Sequence, residues 1–170
     1  MTTTGVTGPL AALPTELLAL LEGPSIMYLG TCDAGLQPMS TIGFGLKLDD
    51  PSGREVTVFV PATVAPPILA NLRDNGQMAL TLVRPTDHRA LQIKGAWLGE
   101  RRTDDRDRAF VERYRDTLTE EMGLVGVPRS IWRRVIWWPS LALRMEVREV
   151  FVQTPGPKAG KRCGEGAEAP

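Results

Sequence analysis

Histidine and cysteine are nearly absent from this 170-residue chain: it has one His, His88, and two Cys, Cys32 and Cys163. A zinc site of the common kinds needs more ligands of these types at metal spacing, and a disulfide framework needs more cysteines, so neither is expected. A Ser-His-Asp enzyme would have only His88 to draw on as its base. A chain with so few thiols fits a reducing cytoplasm. An excess of charge of one sign is also missing. Lys and Arg together number 20 and Asp and Glu 20, so a nucleic-acid partner held by an overall positive field is not expected. No apolar run approaches the ~18 residues of a membrane span, and residues 1–9 carry no basic residue, so neither a membrane partner nor a signal peptide is expected.

Enough apolar sequence remains for one substantial core, at 42% of residues. Residues 1–9 are rich in Thr and Gly, and residues 154–170 hold three Pro and four Gly among small and charged residues. Both ends read as flexible segments that cannot bury enough apolar surface to offset their ordering entropy. The folded domain is residues 10–153.

Within that domain the apolar period shifts between two and about four. Leu17, Leu18, Leu20 and Leu21 follow Pro14-Thr15-Glu16 and precede Gly23-Pro24, a short helix with a start and a stop. Ile26 to Leu29 reads as a strand buried on both faces, with a turn at Asp33-Ala34-Gly35. Met39 to Leu48 alternates as one strand, with Ser40, Ile42, Phe44, Leu46 and Leu48 in phase and Thr41 on the other face. Val56, Val58 and Val60 form a third strand. Pro61 to Pro67 breaks the pattern before a helix from Ile68 to Asp74, ended by Asn75-Gly76. Met78, Leu80 and Leu82 make a fourth strand, and Leu91, Ile93 and Trp97 a fifth. Phe110, Tyr114, Leu118 and Met122 lay one apolar stripe along a charged helix from Asp104 to Met122. A shorter helix near Pro128 carries Ile131, Trp132, Val135 and Ile136, and a last strand covers Leu141 to Gln153. Six strands with few interleaved helices predict a mainly β fold, a six-stranded antiparallel split β-barrel with flanking helices.

Three strings carry a resemblance: IMYLGTCDAGLQPMSTIGF, VFVPATVAPPILANLRDNGQMALTLVRP and ALQIKGAWLGERRTDD. With the order of elements, they resemble the FMN-binding split barrels of the pyridoxamine 5′-phosphate oxidase-like family. The resemblance spans about residues 17–153 and implies a homodimer that binds FMN at its subunit interface and acts on a small molecule as an oxidoreductase. It places the cofactor near Ser40, Thr41, Ala62, Thr63, Val64, Gln92 and Lys94, with no metal. It names no catalytic residue. The chain departs from the family pattern at its phosphate-binding run. Pro66, Pro67 and Ile68 stand where the family has Ser-Arg-Lys, and Met39-Ser40-Thr41 where it has an Arg. A phosphate dianion needs cations or several donors, so other readings stay open: a deazaflavin, a haem with His88 as ligand, or a non-enzymatic dimeric ligand-binding barrel.

Two other features have plainer readings. Arg101 to Arg115 is interleaved with Asp104, Asp105, Asp107 and Glu112, which predicts a solvated helix with internal ion pairs. Trp132, Trp137 and Trp138 read as core or dimer-interface residues.

Overall fold

The computed structural model describes residues 10, 13, 15–50, 53–132 and 134–163. Residues 1–9 and the stretch 164–170 lie outside the described residues, and with them the flexible N-terminal segment and the end of the expected tail.

The elements run α1 (Thr15–Glu22), β1 (Ile26–Cys32), β2 (Pro38–Gly43), β3 (Leu46–Leu48), β4 (Glu55–Pro61), α2 (Ala65–Asn75), β5 (Gln77–Val83), β6 (Ala90–Arg102), α3 (Asp105–Leu124), α4 (Arg129–Trp132) and β7 (Ser140–Val152). All strand pairings are antiparallel, in the order β2-β1-β5-β6-β7-β4-β3. The two outermost strands are consecutive in the chain, and the backbone between them keeps pairing. The Phe44 amide donates to Phe59 O at 2.7 Å, and the Phe59 amide donates to Gly45 O at 3.2 Å. Residues 38–48 therefore act as one bent strand that pairs with β1 at one end and β4 at the other. The sheet closes on itself, which removes its free edges. Counted this way, the seven segments make the six strands expected from sequence.

The bend has a local cause. Gly45 has φ +104°, and a Cβ there would come 2.6 Å from the Phe110 ring. Only glycine takes that φ at little cost and lets the helix side chain approach so closely. The single strand expected from Met39 to Leu48 is therefore split at Phe44-Gly45.

Inside the barrel, Met27, Leu29, Val58, Leu80, Ile93, Leu143 and Met145 are all fully buried. β4 is buried on its other face too, because α3 lies over it: Phe59 and Phe110 meet with ring centroids 5.5 Å apart. α3 begins with a capping box, Asp104 accepting from the Asp107 amide at 2.9 Å and Asp107 from the Asp104 amide at 3.2 Å. Val111, Tyr114, Leu118 and Met122 form its buried stripe.

Three boundaries differ from the sequence reading. α2 starts at Ala65, ahead of the expected Ile68, because Pro66 and Pro67 sit in its first turn, where a missing N–H breaks no helical bond. The helix after Pro128 is only Arg129–Trp132. Trp132 is buried, but Ile131 and Ile136 are exposed. Residues 154–163, read as part of a flexible tail, turn back along β7. The Val152 amide donates to Lys161 O at 2.9 Å and the Cys163 amide to Val150 O at 2.7 Å. Thr154 Oγ1 also accepts from the Ala90 amide at 3.0 Å.

Candidate functional site

Residues paired across neighbouring strands point to the same side of a sheet, so the register sorts the predicted residues by face. One outward-facing row runs Ser40–Gly30–Ala79–Lys94–Glu149. The next outward row runs Ile42–Tyr28–Thr81–Gln92–Phe151. Between them lies an inward row, Thr41–Leu29–Leu80–Ile93–Val150.

The first row makes a groove. Gly30 and Ala79 leave its floor low, while Met39 and Lys94 form parts of its walls. The cavity is about 610 Å³, within the ~300–1,000 Å³ of small-molecule sites. Ser40 and Lys94, far apart in sequence, are thus brought to one concavity. Lys94 Nζ lies 4.8 Å from the Phe151 ring centroid and makes no ion pair among the described residues.

The other wall comes from an irregularity in β7. Gly95 pairs with Val147 but Lys94 pairs with Glu149, so Arg148 is the extra residue of a bulge. The bulge turns Arg148 and Glu149 both toward the groove. It presses so closely on β6 that a Cβ on Gly95 would lie 1.8 Å from Glu146 O. Arg148 Nε donates to Glu146 at 3.0 Å, and Glu149 is 3.6 Å from Arg162 of the returning 154–163 segment.

The remaining predicted residues lie elsewhere. Thr41 is half-buried in the inward row, behind Ser40. Gln92 is one outward row away, its Nε2 donating to Thr81 Oγ1 at 3.2 Å. Ala62, Thr63 and Val64 do not line the groove. The Ala62 amide donates to Pro139 O at 2.8 Å and the Val64 amide to Pro61 O at 3.2 Å. With no N–H on Pro66 or Pro67, the start of α2 has few donors left for a phosphate. His88 is exposed in the turn after β5 at φ 57°, between arginines that both reach Asp87. No cluster of metal-ligating side chains occurs among the described residues.

Gly30, Ala79, Arg148 and Glu149 were not singled out from sequence. The signal for the last two was present. Apolar residues fall at 141, 143, 145 and 147 and then at 150 and 152, a slip of one that marks a bulge. An isolated Gly30 inside a strand pattern is likewise a mark of close approach.

A second groove of about 520 Å³ lies between α1, β3 and α3. Beside it, the buried Asp107 carboxylate accepts from Lys47 Nζ at 2.8 Å and from Arg101 in a two-pronged pair. The Arg101 hydrogen bond, helped by Lys47, holds Asp107 well below the usual carboxylate range against the opposing effect of burial. These charges dock α3 on the barrel and are spent on one another. Tyr114 is similarly committed, its buried hydroxyl bonded to Ser25 O and its pKa raised by burial.

No protein-family model and no curated protein sequence matches the chain. Solved structures do. HupZ of Group A Streptococcus superposes with a TM-score of 0.52 at 17% identity, over 87% of this chain and 99% of that one. A Lactobacillus delbrueckii protein assigned to the pyridoxamine 5′-phosphate oxidases gives 0.51 at 15%, over 82% and 93%. An F420 reductase gives 0.52 at 16%, over 81% and 98%. At such identities the likeness speaks for architecture, and it agrees with the strand order, the closure through residues 38–48 and the flanking helices: the chain has the split-barrel fold of the pyridoxamine 5′-phosphate oxidase-like proteins.

Proposed function

We propose that the protein is a homodimeric, cytoplasmic split barrel that binds a flavin, FMN or a deazaflavin, in the outer groove and serves as an oxidoreductase for a small molecule. The observation that carries this reading is the groove itself. It joins a floor without bulky side chains, suited to a flat ring, to a lysine without an ion-pair partner among the described residues, suited to an anionic group. The likeness to an F420 reductase and to a pyridoxamine 5′-phosphate oxidase-type protein supports the same ligand class.

A flavin bound there would supply hydride or electron transfer at its ring. The chain's own residues bind and orient. Lys94 and Arg148 offer charge to a phosphate or carboxylate, Ser40 a hydroxyl, and Gly30 and Ala79 room. The turn at 62–64 is left out of the phosphate site, since two of its amides are engaged. Tyr28, 44% exposed on this side of the sheet, and Met39 at the groove wall form an apolar rim that a second copy would cover, shielding the ring from water.

The double proline opening α2 supports a second reading, a dimeric ligand-binding barrel without flavin. One experiment separates the two. Titration of the purified protein with FMN and with F420, followed by cofactor fluorescence, gives a micromolar dissociation constant on the flavin reading. Ala79→Leu, which fills the floor, removes binding while the circular dichroism spectrum is unchanged. No fluorescence change at ~100 μM of either cofactor, a ΔG weaker than about −5.5 kcal/mol, leaves the non-enzymatic reading. Light scattering at twice the chain mass supports the dimer, and the mass of a monomer overturns it.

A further inference from the structure

The segment joining α3 to β7 stands apart from the rest of this neutral chain. From Met122 to Met145 there are four arginines, Arg129, Arg133, Arg134 and Arg144, and no Asp or Glu. Arg129 and Arg134 are exposed and make no ion pair among the described residues. The same segment exposes large aliphatic side chains: Leu124 at 75%, Val125 at 45%, Ile131 at 55% and Ile136 at 59%.

This exposure does not come from a poorly packed loop. Trp132 is buried in the core, and Val127, Val135 and Trp137 pack against it. Arg115 stacks on Trp137 at 4.6 Å and Arg108 on Trp138 at 5.7 Å, which ties the segment to α3. The indoles thus anchor it from within while aliphatic residues and free guanidinium groups project outward. The nearest acids along the chain are Glu121 on α3, which accepts from Thr86, and Glu146 on β7, which accepts from Arg148. None of the residues that line the groove lies in this segment, so this surface leaves the groove clear.

We propose that this surface docks the protein on an anionic lipid bilayer. Basic side chains interleaved with exposed aliphatic ones match a negative headgroup layer above hydrocarbon. The four aliphatic residues line neither of the two grooves, so they offer projecting groups to a yielding surface more than a pocket to a protein segment. The chain has no described helix long and apolar enough to cross a membrane, and none is needed for surface docking. The proposal departs from the sequence-based expectation of no membrane partner, which rested on spanning segments.

The test is co-sedimentation of the full chain with vesicles of phosphatidylglycerol and phosphatidylcholine, and with phosphatidylcholine alone. The wild type partitions onto the anionic vesicles and weakens sharply in high salt. Replacing Arg129 and Arg134 by Gln lowers the partition coefficient about fivefold each. Ile131→Ser with Ile136→Ser lowers it more than tenfold. Both double variants keep the wild-type melting temperature, since the altered side chains are exposed. Equal partition onto neutral and anionic vesicles, or variants that bind like wild type, overturns the proposal. So does a change of oligomeric mass caused by the two Ile→Ser substitutions, which would make the surface a contact between copies.

Discussion

On the side covered by α3, Lys47 and Arg101 converge on one buried carboxylate, Asp107, and Lys47 Nζ also lies 4.7 Å from the Phe110 ring centroid. On the side of the groove, Lys94 has the Phe151 ring beneath it and no ion-pair carboxylate among the described residues. Both lysines project outward from barrel strands beside aromatic rings, yet one is consumed by structure and the other is available. The difference arises from what lies over each face. A helix with an acid at its N3 position covers the first, whereas glycine and alanine leave the second open. Charge alone in the sequence does not distinguish the two roles; the covering element does.

The largest effect should come from the contact that shapes the open side. Gly95→Ala puts a Cβ where Glu146 O already sits, and should cost about 3 kcal/mol or more. Thermal melting checks this, at about 2–4 °C per kcal/mol for a chain of this size. A variant that melts like wild type would show that the bulge can relax.

On the covered side, Asp107→Asn leaves Lys47 and Arg101 without their shared anion and weakens the α3 cap. Both cations are partly exposed, at 32% and 45%, so the cost should fall to about 2–3 kcal/mol, below that of a fully buried pair. The same group predicts the acid response. Its folded pKa is depressed, so its contribution is complete above the unfolded value of ~3.9 and is lost as pH falls toward the folded one. Melting temperatures of wild type and Asp107→Asn should converge as pH drops below ~4 and stay separated above ~5.

How much of this was legible depended on whether the signal was periodic. The long stripe Phe110, Tyr114, Leu118 and Met122 located α3, and alternation in Val56, Val58 and Val60 located β4, because both patterns are repeated imprints of one buried face. Barrel closure could be expected from six alternating strands, but the bend that achieves it depends on the tight approach of Phe110 to Gly45, a contact between residues far apart in sequence. In the site, Ser40 and Lys94 were placed near one another through family resemblance. The turn at 62–64 was named with them, but two of its amides, those of Ala62 and Val64, bond to Pro139 and Pro61, partners that local sequence does not reveal. The 154–163 segment was read as loose from its composition, although its hydrogen bonds to β6 and β7 are made by backbone and by Thr154, which composition does not report.

That segment gives the smallest expected effect. Truncation after Cys163 should leave melting unchanged, whereas truncation after Gln153 removes the bonds to Val150, Val152 and Ala90 and should cost about 1–2 kcal/mol. Equal melting of the two truncations would mean that the returning segment contributes no stability.

The contrast between the two lysines can be measured directly by taking Lys47→Ala and Lys94→Ala through the same cofactor titration and the same thermal melt. The account predicts a double dissociation. Lys94→Ala weakens FMN or F420 binding about tenfold or more with an unchanged melting temperature, and Lys47→Ala lowers the melting temperature with an unchanged dissociation constant. Lys94→Ala binding as tightly as wild type, or Lys47→Ala losing affinity while melting normally, would contradict it.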